Sequence, residues 1–137
     1  MDKGDNQTPE KSYLHAMYGK KLNRTDAIND AIYFVKANMQ RAKWFNEHGQ
    51  RQAALWSFGL ALHTVQDSTS PAHHGFQIWD CASWDVICNA NHAKKELILP
   101  SGSLGSSNLA RSTNTMMYYF NVKYVPSFNV FNIFGAD

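Results

Sequence analysis

The sequence predicts an all-α protein: a compact helical domain of four to five helices, with a central buried helix and an extended aromatic C-terminal tail. Two stretches carry this expectation. Apolar residues recur at helical spacing at Ala27, Ile28, Ala31, Ile32, Val35, Met39, Ala42 and Phe45. From Gln52 to Gln66 the chain is almost solidly apolar, the pattern of a helix surrounded on nearly every face. Gly49 lies between the two stretches, so they are expected to pair as an antiparallel hairpin.

The remaining elements follow from start and stop signals. Residues 1–11 are polar and read as a disordered leader, with residues 12–137 forming a single domain. A short helix is expected over Ser12–Gly19, with Ser12 as its N-cap and Gly19 as its stop. Thr25 reads as the N-cap of the long helix, whose positive N-terminal end Asp26 and Asp30 would favour. Ser68–Ala72 (STSPA) ends the second helix, because Pro71 disfavours its continuation. Residues 75–90 read as loop. Helices are expected over Asn91–Leu99 and Asn108–Phe120, and the tail Tyr124–Phe134 alternates enough for a strand or an extended arm.

Composition excludes several classes of function. A chain of 137 residues is one domain and can bury about two-thirds of its unfolded surface. An apolar share of 44% with 13% aromatics suits a packed core, not a disordered polymer. Net charge is only +2 and the basic residues are dispersed, so charge supplies no nucleic-acid footprint. No apolar run approaches the roughly 18 residues that span a bilayer. The polar N-terminus does not read as a signal peptide; an exported domain of this kind would travel within something larger or by a signal-independent route. Cys81 and Cys88 are expected to be two free thiols, a local bridge being the alternative in an oxidising compartment.

The histidines carry the chemistry. His63 and Asp67 stand at i, i+4 on the apolar helix and meet on one face. Buried polar groups of this kind cost several kcal/mol unless paired or ligated. His73 follows across the Ser-Pro turn, and His92 with Glu96 repeats the i, i+4 pairing on another helix. Imidazole nitrogen with carboxylate oxygen is a natural ligand set for Zn²⁺, and open catalytic sites use about three protein ligands plus water. One His-x3-acid pair alone is more often a hydrogen bond than a metal site. Two pairs with a histidine at the turn between them favour metal. Cys81, Cys88 and His92 offer a sulfur-rich alternative, at a spacing that is not a standard zinc one. Phe76, Trp79 and Trp84 lie near the second pair, either as packing or as a wall for an acyl chain or a base.

The run H-x3-D-x5-H from His63 through Asp67 to His73, followed by H-x3-E from His92 to Glu96, resembles the zinc-dependent phospholipase C family. It is also similar to the zinc-dependent single-strand nucleases that share that all-helical fold. The segment Leu62–Trp79 (LHTVQDSTSPAHHGFQIW) resembles C-terminal toxin domains of Rhs-repeat polymorphic toxins. The resemblance covers about Tyr13 to Leu97. It implies a zinc cluster in which His63 and Asp67 serve a first metal, with Asp67 bridging to another that His15 shares. It implies that His73, His92 and Glu96 hold a separate, more open metal.

The family places an Asp and a His before the H-x3-D pair. His48, at the Gly49 turn, stands too far down the hairpin to serve. Asp30 stands level with Asp67 and is the candidate carboxylate, with Asp67, for orienting water. Two zinc ions are therefore expected, with a third implied by the family. The resemblance further implies hydrolysis of a phosphodiester, phospholipid ahead of nucleic acid, by a monomeric secreted effector that touches membranes peripherally. A cognate immunity protein is its implied partner. A zinc-stabilised interaction module without activity is the alternative from another class.

Overall fold

Asn23, not Thr25, begins the long helix: its side-chain oxygen accepts the backbone N–H of Asp26 at 2.8 Å, and its amide donates to the Asp26 carboxylate at 2.7 Å. This reciprocal pairing satisfies a donor that the first helical turn would otherwise leave open. Thr25 lies inside that turn instead. The computed structural model describes residues 8–19, 22–81, 85–96 and 108–121, and over them the chain is all-α. In chain order, a 3-10 helix (Pro9–His15) leads to β1 (Tyr18–Gly19), α1 (Arg24–Glu47) and α2 (Arg51–Asp67). Then come β2 (Ile78–Trp79), α3 (Val86–Glu96) and α4 (Asn108–Asn121). The expected tail at 124–134 lies outside the described residues. Among them, no helix is long and apolar enough to cross a membrane.

The antiparallel hairpin forms as expected. Gly49 takes φ +73°, a left-handed conformation that glycine adopts without steric cost, and α2 starts two residues later. The buried face of α1 is Ala27, Ala31, Val35, Asn38, Met39 and Ala42. That of α2 is Ala54, Ser57, Phe58, Ala61, Thr64 and Val65. Alanine recurs on both faces and lets the helices approach closely. α4 closes the core with Met116 and Phe120, the latter 4.6 Å from Phe58 between ring centroids. One expectation for α2 fails: it is not buried all round, since Trp56 is 71% exposed and Leu55 47%. The described core needs only one face of α2, so solid hydrophobicity overstated how much of it is enclosed.

At the N-terminal end the 3-10 helix starts at Pro9, within the segment expected to be a leader, and it replaces the α-helix expected over 12–19. Ser12 lies inside it and donates to the Pro9 carbonyl at 2.9 Å. Ala16 then takes a left-handed φ of 52°, turning the chain into β1. The two short strands pair in parallel, Tyr18 opposite Ile78 and Gly19 opposite Trp79, which lays the segment after α2 beside the 3-10 helix. Gly19 is required there: a Cβ at this position would overlap the Pro9 backbone carbonyl. Gly19→Ala is therefore expected to cost about 1–3 kcal/mol, read as a lowered midpoint in urea denaturation. An unchanged midpoint would show that this close approach does not matter.

α3 begins at Val86, five residues earlier than expected, because Asp85 Oδ1 caps the Cys88 N–H at 2.9 Å. α4 matches its expected span within a residue. Cys81 and Cys88 are joined as a disulfide, with Cα atoms 5.5 Å apart. The expectation of two free thiols is corrected, and the sulfur-rich Cys81–Cys88–His92 site falls with it. The first turn of α3 brings Cys88 back against Cys81, two residues past β2, a proximity that spacing alone did not reveal.

Candidate metal centre

Three elements that are distant in sequence meet at the C-terminal end of α2. His63 and Asp67 come from its last two turns, one helical turn apart, with Nε2 to Oδ2 at 3.1 Å. His15 arrives from the end of the 3-10 helix, its Nδ1 at 3.0 Å from the same carboxylate oxygen. The third edge, His63 Nε2 to His15 Nδ1, is 3.3 Å. Thr64 makes this meeting possible, for its buried hydroxyl donates to the Leu14 carbonyl at 2.6 Å and ties the 3-10 helix to α2 beside His15. Sequence reasoning passed over Thr64. Its signal was a hydroxyl inside an apolar helix, which needs a partner when buried.

The loop after α2 delivers the next histidine. Ser68 and Thr69 hydroxyls donate back to the carbonyls of Val65 and Gln66 at 2.6 and 2.7 Å, satisfying acceptors that the helix end exposes. The following turns, with Pro71, carry His73 into the interior, where it is 1% exposed. His73 Nδ1 faces Asp67 Oδ2 at 3.8 Å, and its Nε2 meets His92 Nε2 at 2.9 Å. The neighbouring His74 is exposed. Trp79 sets its ring edge against His92, centroids 4.8 Å apart. Phe76 is a core residue at 3% exposure, and Trp84 lies outside the described residues. So does the side chain of Glu96, although the residue closes α3.

Hydrogen bonding alone cannot satisfy the His15–His63–Asp67 trio. If both imidazole nitrogens donate to the carboxylate, two N–H groups confront each other at 3.3 Å. If one keeps its lone pair, that lone pair faces the carboxylate oxygen. At most two of the three edges can be hydrogen bonds, whichever tautomers are chosen. A cation between the three atoms satisfies every edge. Four ligands placed tetrahedrally at 2.0–2.1 Å from zinc stand about 3.3 Å apart, close to the 3.0, 3.1 and 3.3 Å seen here. His15, His63 and Asp67 can therefore hold a metal ion.

Burial pushes the Asp67 carboxyl up, but His15, His63 and His73 together outweigh it and hold the group below the usual carboxylate range. Asp67 is thus ionised at neutral pH and central to both histidine groups.

Asp30 is corrected. It is exposed and lines an open groove of about 400 Å³ with Tyr13, Phe34, Arg41 and Leu60. Burial and then the Asp30 charge raise the Tyr13 pKa. Among the described residues, the donors that gather within 4.8 Å are those of His15, His63 and Asp67, without Asp30. Asp30 faces the groove beside Tyr13 of the 3-10 helix. His48 behaves as expected for a turn residue, exposed at the end of α1, with Nδ1 2.7 Å from the Trp44 carbonyl. His48→Ala is expected to leave metal content unchanged and to shift stability by no more than about 0.5 kcal/mol, checked by metal analysis and thermal melting.

Comparison of the chain with protein-family models, with curated proteins and with solved structures finds no match.

Proposed function

We propose that this chain is a zinc-dependent phosphodiester hydrolase of the phospholipase C type, acting as an antibacterial toxin domain. The observation that carries the reading is the convergence of His15 Nδ1, His63 Nε2 and Asp67 Oδ2 within 3.3 Å of one another, next to the His73–His92 pair. His15, His63 and Asp67 would hold one zinc ion, and His73 and His92, with Glu96 from the same helix as His92, would hold the other. Zinc at such a site supplies a Lewis acid for the phosphoryl oxygens and brings the pKa of bound water toward neutrality. Asp67, already ionised, orients the attacking water as an acceptor. The buried ring of His73 keeps bulk solvent from the space between the two groups, and Trp79 holds the His92 ring on its open side. Phospholipid is the favoured substrate, because the dispersed basic residues offer no track for a nucleic-acid backbone. The Cys81–Cys88 disulfide suits an oxidising compartment, as expected of a secreted effector.

The test is metal analysis of the purified chain, with parallel assays on phosphatidylcholine and single-stranded DNA. Two zinc ions and faster cleavage of the lipid are expected. His92→Ala should lose one ion and most activity. Zinc content and turnover both unchanged in that variant would remove the second metal from the reading. Cleavage of DNA alone would select the nuclease, and bound zinc without either activity would leave an interaction module with a partner such as an immunity protein.

A further inference from the structure

We propose that the Cys81–Cys88 disulfide positions His92, so that the second half of the metal centre assembles only in an oxidising compartment; this rests on the metal reading above. α3 carries His92 and Glu96, yet none of its residues from Val86 to Lys95 is buried. Among the described residues, the main helix packing joins α1, α2 and α4 without it. At 11 residues it is also shorter than the roughly 12–15 that an isolated helix needs to be even marginally stable. The Asp85 cap starts α3 through a bond local to its own first turn.

Among the described residues, the covalent attachment of α3 runs through sulfur, beside the contacts that His92 makes with His73 and Trp79. β2 is fixed by its pairing with β1, and Cys81 follows two residues after Trp79. The Trp79 indole N–H donates to the Cys81 carbonyl at 3.0 Å, so the indole, Cys81 and β2 form one small assembly. The disulfide joins that assembly to Cys88. Cys88 and His92 stand at i, i+4 and share a face of α3, which turns the imidazole toward Trp79 and His73. Without the bridge, the metal itself must order α3, and its affinity falls accordingly.

A phosphine reductant breaks the bond in a balanced step. Phosphorus supplies two electrons and takes oxygen from water, while the two protons complete the Cys81 and Cys88 thiols. In a reducing cytoplasm the same two-electron reduction by cellular dithiols leaves the His73–His92 half loosely held, while the His15–His63–Asp67 half keeps all its ligands. An enzyme harmful to its producer is thereby weakened until it is exported.

Zinc titration of the whole chain tests this, comparing oxidised wild type, phosphine-reduced wild type and Cys81→Ser/Cys88→Ser. The serine variant decides, because free thiols bind zinc themselves. Oxidised wild type is expected to bind two ions. The serine variant should bind one with unchanged affinity and the other about 10–100-fold more weakly, the range for loss of groups that orient a ligand. His15→Ala in the oxidised chain should weaken the other ion instead with helix content unchanged, whereas the serine variant before zinc is added should lose no more helix signal than the 11 residues of α3 supply. Two ions at full affinity in the serine variant would overturn the proposal and leave the metal reading standing. No zinc bound by oxidised wild type would overturn both.

Discussion

On the proposed reading, Asp67→Asn is expected to abolish metal binding at the His15–His63 group and to lower phosphodiester hydrolysis by orders of magnitude, while the helices persist. The Asp67 oxygen is the atom on which His15, His63 and His73 all converge, at 3.0, 3.1 and 3.8 Å. Asparagine keeps the shape but removes the negative charge that would offset a metal ion. Its amide also presents either a neutral oxygen or an N–H to the cation, and neither replaces a carboxylate ligand. Circular dichroism should be nearly unchanged, because the helix ends at this residue in either variant.

The pH dependence of the metal-free protein has a defined sign. The folded-state pKa of Asp67 is lowered, so ionised Asp67 favours the folded state above the unfolded carboxylate pKa of about 4. That contribution is lost as pH falls below this value and through the lower folded pKa. In chelator, the stability gap between wild type and Asp67→Asn should therefore shrink on acidification. Wild-type turnover in the variant, or a gap that widens in acid, would remove Asp67 from the centre of the site.

Expression of the wild-type chain in the bacterial periplasm is expected to stop growth, and His63→Ala or His73→Ala to restore it. Each substitution removes a different part of the site: His63 belongs to the trio with Asp67, and buried His73 links that trio to His92. Loss of one ligand typically lowers metal affinity severely, since only two protein donors remain at that ion. Growth on plates and viable counts over one induction give the readout. Equal toxicity of wild type and both variants would indicate a mechanism that needs no metal. Full growth with wild type in both cytoplasm and periplasm would sink the toxin reading and leave a hydrolase without that role.

What the sequence determined by itself was local. The α1–α2 hairpin was legible because helical periodicity and a glycine at the turn are properties of neighbouring residues. The His63–Asp67 contact was legible for the same reason, since i, i+4 spacing on a helix places two side chains together in any fold. The turn that begins at Ser68 was legible too, being built from hydroxyl and proline signals in the chain. The all-α class follows from the same short-range patterns.

Only the tertiary structure decided which distant pieces meet. His15 lies 48 positions from His63, and it reaches the site because Thr64 holds the Leu14 carbonyl and β1 pairs with β2. The Thr64 hydroxyl signals that a partner is needed but not which one, and strands of two residues are too short to show alternation. Asp30 looked level with Asp67 along the hairpin, yet height on a helix does not set direction around it. The disulfide was missed because cysteine pairing depends on the distance between β2 and the first turn of α3, which the Asp85 cap determines. Long-range geometry of this kind comes from the sum of many weak contacts across the core, and no window of sequence contains that sum.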